Sequence, residues 1–245
     1  EILPGALTWT ILTAPFWLSL IAPTITALII IAFFLLWLVR AIGLNIRVLQ
    51  GYQMMQKQLK LDWAKMLDDI TDPKESYNSE FPKWHQDIKR RLIKQKPILP
   101  PDEIIHAVII AAYNEGIDVL EPTVNYILDS HYDMKKIILI FAYEGRDGAQ
   151  SKVAVNNLVK KYGNRFFETL AYEHPLTKNE VKGKGGNINY AAKKLQEYLL
   201  KKNIDPLRVM VTTLDSDNRP HKSYFSALSY VVAATPDPVR VSYQP

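Results

Sequence analysis

The sequence predicts an α/β protein: an N-terminal transmembrane helix or hairpin, followed by a mostly parallel sheet with helices on both faces. Three observations lead there. Residues 2–39 contain no Asp, Glu, Lys or Arg. Behind Pro101, short continuous apolar runs alternate with stretches of helical length, the pattern of βαβ crossovers. Polar clusters follow directly on several of those runs, where a parallel sheet presents the carboxyl ends of its strands.

The averages alone conceal this division. The chain has 245 residues, 48% hydrophobic and 22% charged, with 30 Lys+Arg against 25 Asp+Glu. That apolar content excludes a disordered tail. The absence of cysteine excludes a disulfide-stapled fold, a thiolate metal site and a cysteine nucleophile. The chain begins at Glu1 rather than Met and stops at Pro245 directly behind an apolar run, which reads as a piece of a longer protein.

Residues 1–43 form the membrane segment. Its uncharged run would reach roughly 57 Å as one straight helix, at about 1.5 Å per residue, against a hydrocarbon core about 30 Å thick. Pro15 and Pro23 offer break points, because each removes a backbone donor. The expectation is a spanning helix over about 22–41, preceded by a shorter apolar helix that is re-entrant or forms the first arm of a hairpin. A signal peptide is excluded, having a shorter apolar core and a small-residue cleavage site. Arg40, Arg47, Lys57 and Lys60 flank the segment with no acidic residue among them. The positive-inside rule then predicts a protein integral to the cell (inner) membrane with the remainder in the cytosol.

Residues 44–103 read as an amphipathic juxtamembrane helix and a linker. Ile46, Leu49, Met54, Leu59, Trp63, Met66 and Leu67 recur at helical spacing among Lys and Gln over 45–69. Turn formers and prolines over 70–103 predict a connection rather than a core. The basic cluster 89–96 has no interleaved aromatic platform for bases, so it points to anionic lipid or plain solvation and not to nucleic acid.

Residues 104–245 carry the sheet. Strands are expected at 104–112, 136–142, 166–172, 207–214 and 239–243, and helices at 119–128, 149–162, 186–201 and 222–234. Four polar clusters fall on one rim: Ala112-Tyr113-Asn114-Glu115, Glu144 with Asp147, Lys182-Gly183-Lys184-Gly185-Gly186-Asn187, and Asp215-Ser216-Asp217. Asp215 and Asp217, one residue apart behind a buried strand, suit a hard divalent cation, Mg²⁺ or Mn²⁺, which normally bridges substrate phosphates. The glycine-rich stretch ahead of a helix exposes backbone amides to an anion, and Lys184 could pair with a diphosphate oxygen. It lacks the Walker A spacing, and the first strand lacks Gly-x-Gly-x-x-Gly, which disfavours a dinucleotide Rossmann site. Glu144, Asp147, Asn114 and Glu115 read equally as base or ribose contacts and as ordinary turn residues. His221, four residues past Asp217, reads as a solvated helix-start histidine before a metal ligand. No Gly-x-Ser-x-Gly elbow occurs.

Taken in order, Val108-Ile109-Ile110-Ala111-Ala112-Tyr113-Asn114-Glu115, a carboxylate behind the second strand, Gly183-Lys184-Gly185-Gly186-Asn187-Ile188-Asn189 and Asp215-Ser216-Asp217 resemble family 2 glycosyltransferases of the GT-A fold, with the hydrophobic N-terminus similar to their membrane-anchored members. The resemblance covers roughly 104–245, which would be the N-terminal, donor-binding part of the domain. It implies a nucleotide-diphosphate-sugar donor, most simply UDP-linked, an inverting transfer of hexosyltransferase type, and a glycan or lipid-linked acceptor. By carry-over, Ala112, Tyr113, Asn114, Glu115 and Glu144 would face the nucleoside. Lys184 would lie near the diphosphate, Gly185, Asn187 and Asp215 would also bind the donor, and Asp215 and Asp217 would hold the metal, Asp217 being the more direct ligand. Two positions depart from the family pattern: Ala111 stands for its usual Pro, and Tyr143-Glu144-Gly145-Arg146 for its Asp-Asp-Gly-Ser stretch. The catalytic base is expected beyond Pro245, so donor binding without efficient transfer is expected of this chain. A metal-dependent nucleotidyltransferase and a non-catalytic, membrane-anchored nucleotide-sugar-binding module are the alternatives.

Overall fold

The computed structural model describes residues 2–73, 80–145, 149–175 and 183–243. It divides into two units, Glu1–Leu61 and Asp62–Pro245.

The first unit is two helices, α1 (Ile2–Ile21) and α2 (Pro23–Gln58), with Ala22 between them. Pro23 opens α2 at a position whose amide has no helical acceptor anyway. Pro15 is carried inside α1. No residue of α1 is buried, and Thr26 is the buried residue of α2. Both helices are long and apolar enough to cross a membrane. Several of their polar groups are satisfied internally. Each hydroxyl of α1 (Thr8, Thr10, Thr13 and Ser19) donates to a carbonyl three or four residues earlier at 2.7–2.8 Å, and Asn45 does the same to Ala41. This back-bonding removes the need for water at those groups.

The amphipathic helix expected over 45–69 is two helices. Apolar and straight-chain residues carry α2 through to Gln58; the chain then turns, and α3 (Trp63–Thr71) begins behind Asp62, whose carboxylate accepts the Lys65 amide at 3.1 Å. The expected linker also contains a helix, α4 (Lys83–Lys94), with Lys89 only 2% exposed rather than facing lipid or solvent. The Lys89 ammonium donates to Asp69 Oδ1 at 2.8 Å, and Asp69 Oδ2 lies 2.9 Å from His85 Nε2. His85 Nδ1 in turn meets the Tyr230 hydroxyl at 2.9 Å. Burial pushes the Asp69 carboxyl up, but the bonds from Lys89 and His85 outweigh it and hold the group below its usual range. Trp63 and Trp84 close over Tyr230, so these helices belong to the sheet unit.

Four strands, β1 (Ile105–Ala112), β2 (Ile137–Glu144), β3 (Glu168–His174) and β4 (Val209–Asp215), form an all-parallel sheet in the order β3-β2-β1-β4. The helices between them are α5 (Ile117–Leu128), α6 (Ala149–Tyr162) and α7 (Lys184–Lys201), with α8 (Tyr224–Ala234) behind β4. Alternate side chains of β1 and β2 serve opposite layers. Val108, Ile110, Leu139 and Phe141 meet Val124, Val155, Leu158 and Phe225 on one face. Ala107, Ile109, Ile138 and Ile140 meet Ala191, Leu195 and Leu199 of α7 on the other. Burial on both faces is why these strands read as unbroken apolar runs. The expected strand at 239–243 is absent: Pro238–Arg240 is a 3₁₀ turn, and 241–243 adopt no strand. Pro238 locks φ and removes a ladder donor at the point where that strand would start.

Candidate functional site

The chain steps from β1 to β2 to β3 in one direction, then crosses to the other side of β1 as β4. The order reverses between β1 and β4, and in open parallel sheets the crevice outside such a reversal is where ligands lodge. Ala111 pairs with Asp215 in the ladder, so the Ala112–Glu115 and Asp215–Asp217 loops leave adjacent strand ends.

A network of hydrogen bonds joins these loops. Glu115 Oε2 accepts the backbone amides of Tyr113 and of Asn114, the latter at 3.1 Å. Its other oxygen accepts from the Ser216 hydroxyl at 3.1 Å. Thr123 of α5 donates to the Ser216 carbonyl at 2.6 Å and accepts from Arg219. Ser216 is buried by this network, and its neighbours Asp215 and Asp217 are turned outward and exposed. Both Glu115 oxygens are thus engaged within the protein, which makes it a brace between two loops. Tyr113 stays 48% exposed beside them.

Asn187 has a comparable role. It is 2% exposed, its amide donates to the Ala112 carbonyl at 3.4 Å, and its oxygen lies 3.0 Å from His174 Nδ1. The first turn of α7 is thereby tied to the ends of β1 and β3. Glu144 is the last residue of β2, ladder neighbour of His174 and buried, unlike the open carboxylates of Asp215 and Asp217. At the same rim, burial and then the Glu173 charge push the Tyr143 hydroxyl up.

Helix α7 starts at Lys184, two residues earlier than its periodicity predicts, and its N-cap Gly183 makes no side-chain capping bond. Its first amides therefore have no side-chain cap from that residue. Among the described residues, a Cβ on Gly183 or Gly185 would meet nothing within 4 Å, so space is open at these two positions. The Lys184 ammonium forms an ion pair with Asp215 Oδ1. Asp215 thus already faces a positive charge, and an exposed two-carboxylate set with an ammonium standing in for a cation fits Mg²⁺ or Mn²⁺ chemically. No group of three or more His, Asp or Glu side chains forms among the described residues. His221 accepts the Ser223 amide on Nδ1 at 3.3 Å, a local turn contact. Asp147 and Lys182 lie outside the described residues.

Of the expected site residues, Ala112, Tyr113, Asn114, Glu115, Lys184, Gly185, Asn187, Asp215 and Asp217 surround the β1–β4 reversal, and Glu144 ends the next strand. Sequence reasoning missed Thr123, His174 and Arg219, and it named Ser216 only as part of a polar cluster, without its role in holding the rim together. Their only signal is a polar side chain beside an apolar run, which loops share everywhere. No known protein-family profile matches the chain, and no curated protein matches its sequence.

Proposed function

We propose that the chain is the donor-binding part of a membrane-anchored glycosyltransferase of the GT-A, family 2 type, taking a nucleotide-diphosphate sugar, UDP-linked in the simplest case. The observation that carries this reading is the Asp215-x-Asp217 pair at the β1–β4 reversal, with Asp215 ion-paired to Lys184 at the start of α7. Asp215 and Asp217 would hold Mg²⁺ or Mn²⁺, which would supply positive charge to a diphosphate leaving group. Lys184 and the first amides of α7 add fixed positive charge around the same group. The exposed Tyr113 ring offers the nucleoside a face to stack on. In that reaction an acceptor hydroxyl, on a glycan or lipid-linked sugar, would displace the nucleoside diphosphate at the anomeric carbon with inversion and pass its proton to a general base. Helices α1 and α2 anchor the protein in the cell membrane, and the basic flank of Arg40, Arg47, Lys57 and Lys60 keeps the sheet unit on the cytosolic face.

Calorimetry of the full chain in detergent with UDP, GDP and ATP, with and without Mn²⁺, tests this reading. Metal-dependent UDP binding is expected, and Asp217→Asn weakens it at least about tenfold, or about 1.4 kcal/mol. UDP binding indifferent to metal and to that substitution refutes it. Preference for ATP over both diphosphates would favour a nucleotidyltransferase.

A further inference from the structure

We propose that Lys184 is an exchangeable counter-ion: it occupies Asp215 while the site is empty and passes to the diphosphate when a divalent cation takes its place. The inference rests on the donor-site reading above and adds an order of events to it.

Lys184 is the first residue of an 18-residue helix, with its charge at the positive end of the helix dipole, where a cation is disfavoured. What compensates it is Asp215, contributed by a strand on the far side of β1 from the one that precedes α7. The two partners are not equally mobile. Asp215 is held at its Cα by the ladder to Ala111, while the ammonium rides on a four-carbon stem. The side chains are 44% and 60% exposed, so the pair is solvent-screened and weak enough to open readily. Open space over Gly183 and Gly185 leaves the lysine and an arriving phosphate unobstructed by side chains in the same turn.

A divalent ion on Asp215 and Asp217 competes with the ammonium for Asp215, because the two cations repel and share the carboxylate's charge. Metal entry therefore loosens Lys184, and the loosened charge stands beside the amides that would receive the diphosphate. Each ligand prepares the site for the other, and the coupling is reciprocal. Without nucleotide, Lys184 competes with the metal; with nucleotide bound, it does not.

The experiment measures Mn²⁺ affinity of the full chain in detergent, with and without saturating UDP, by electron paramagnetic resonance of free Mn²⁺. The variants are Lys184→Met and, as a control of equal net charge, Lys201→Met at the other end of α7. Lys184→Met is expected to tighten Mn²⁺ about two- to fivefold without UDP, the range of an exposed ion pair. With UDP present the gain vanishes or reverses, and UDP itself binds more weakly; Lys201→Met changes neither. Unchanged or weaker Mn²⁺ binding by Lys184→Met without UDP overturns the exchange. So does an equal gain with and without UDP, or an equal gain in Lys201→Met, because either reduces Lys184 to a background charge. A wild-type chain that binds neither Mn²⁺ nor UDP overturns the donor-site reading, and the exchange with it.

Discussion

Leu28-Ile29-Ile30-Ile31-Ala32-Phe33-Phe34 in α2 and Ile137-Ile138-Leu139-Ile140-Phe141-Ala142 in β2 are close to the same set of side chains, yet their surroundings are opposite. Ile140 and Phe141 are fully buried, while Ile31 and Phe34 are 54% and 65% exposed. Composition does not separate them; length and flanks do. The β2 run is eight residues long, enters through the Met134–Lys136 turn and ends at Glu144, too short to span lipid and well sized for a strand covered on both faces. The α2 run sits within an uncharged stretch long enough for a bilayer and finds no protein to cover it. A buried strand meets its solvent requirement with neighbouring elements, whereas an apolar helix of this kind is long and apolar enough to meet it in lipid.

The sharpest way to break this comparison is to place one charge in each run. Ile140→Lys buries an ammonium between two helical layers and is expected to unfold the sheet unit, an effect above about 4 kcal/mol, while membrane fractionation persists. Ile30→Lys is expected to do the reverse: it lowers insertion by about 2.5–3.5 kcal/mol and leaves the sheet unit's protease resistance intact. Limited proteolysis and carbonate extraction of both variants read the two effects separately.

A second prediction uses the one place where β1 departs from an apolar run. His106 is buried, with Nε2 at 2.8 Å from Ser229 Oγ, and Nδ1 finds no partner among the described residues. Burial drives its pKa down to about 3. Its unfolded value is near 6.5, so between these limits the unfolded chain takes up a proton that the folded chain refuses. This contribution to stability is intact above about pH 7 and falls as pH drops from 6.5 towards 3, at up to about 1.4 kcal/mol per unit. His106→Leu should flatten that part of the profile, measured as the urea midpoint of near-ultraviolet dichroism against pH. An unchanged slope would mean that other groups set the acid sensitivity.

The smallest effect on stability is expected at the rim. Gly185→Ala adds a methyl group to open space in a helix, so the melting temperature should hold or rise, alanine being favoured over glycine by up to about 1 kcal/mol. UDP binding should weaken nonetheless, because the methyl fills the approach to the α7 amides. Calorimetry of this variant sharpens the contrast between residues that hold the core and residues left clear for a ligand.

Much of this architecture was legible in local pattern. The uncharged stretch, the four parallel strands and the helices between them follow from spacing along the chain, as does the crowding of polar residues behind the strands. Legibility failed where a local signal was outweighed by a distant partner. The basic stretch at Lys89 resembles a solvated face, but Asp69 and the aromatic rings around Tyr230 draw that lysine inside. Val239–Tyr243 resembles a strand, yet Pro238 sets a turn in its place.

By itself the sequence determined the two apolar helices, the strand and helix succession and the identity of the rim residues, because hydrophobic periodicity and charge are properties of short windows. Only the tertiary structure decided that β4 returns to the far side of β1, and so that Asp215 meets Lys184, Ser216 meets Glu115 and Asn187 meets His174. Those pairings depend on which strand edges join and on which face each crossover helix packs. Edge and face are chosen by the free energy of the whole core, which no short window of sequence contains.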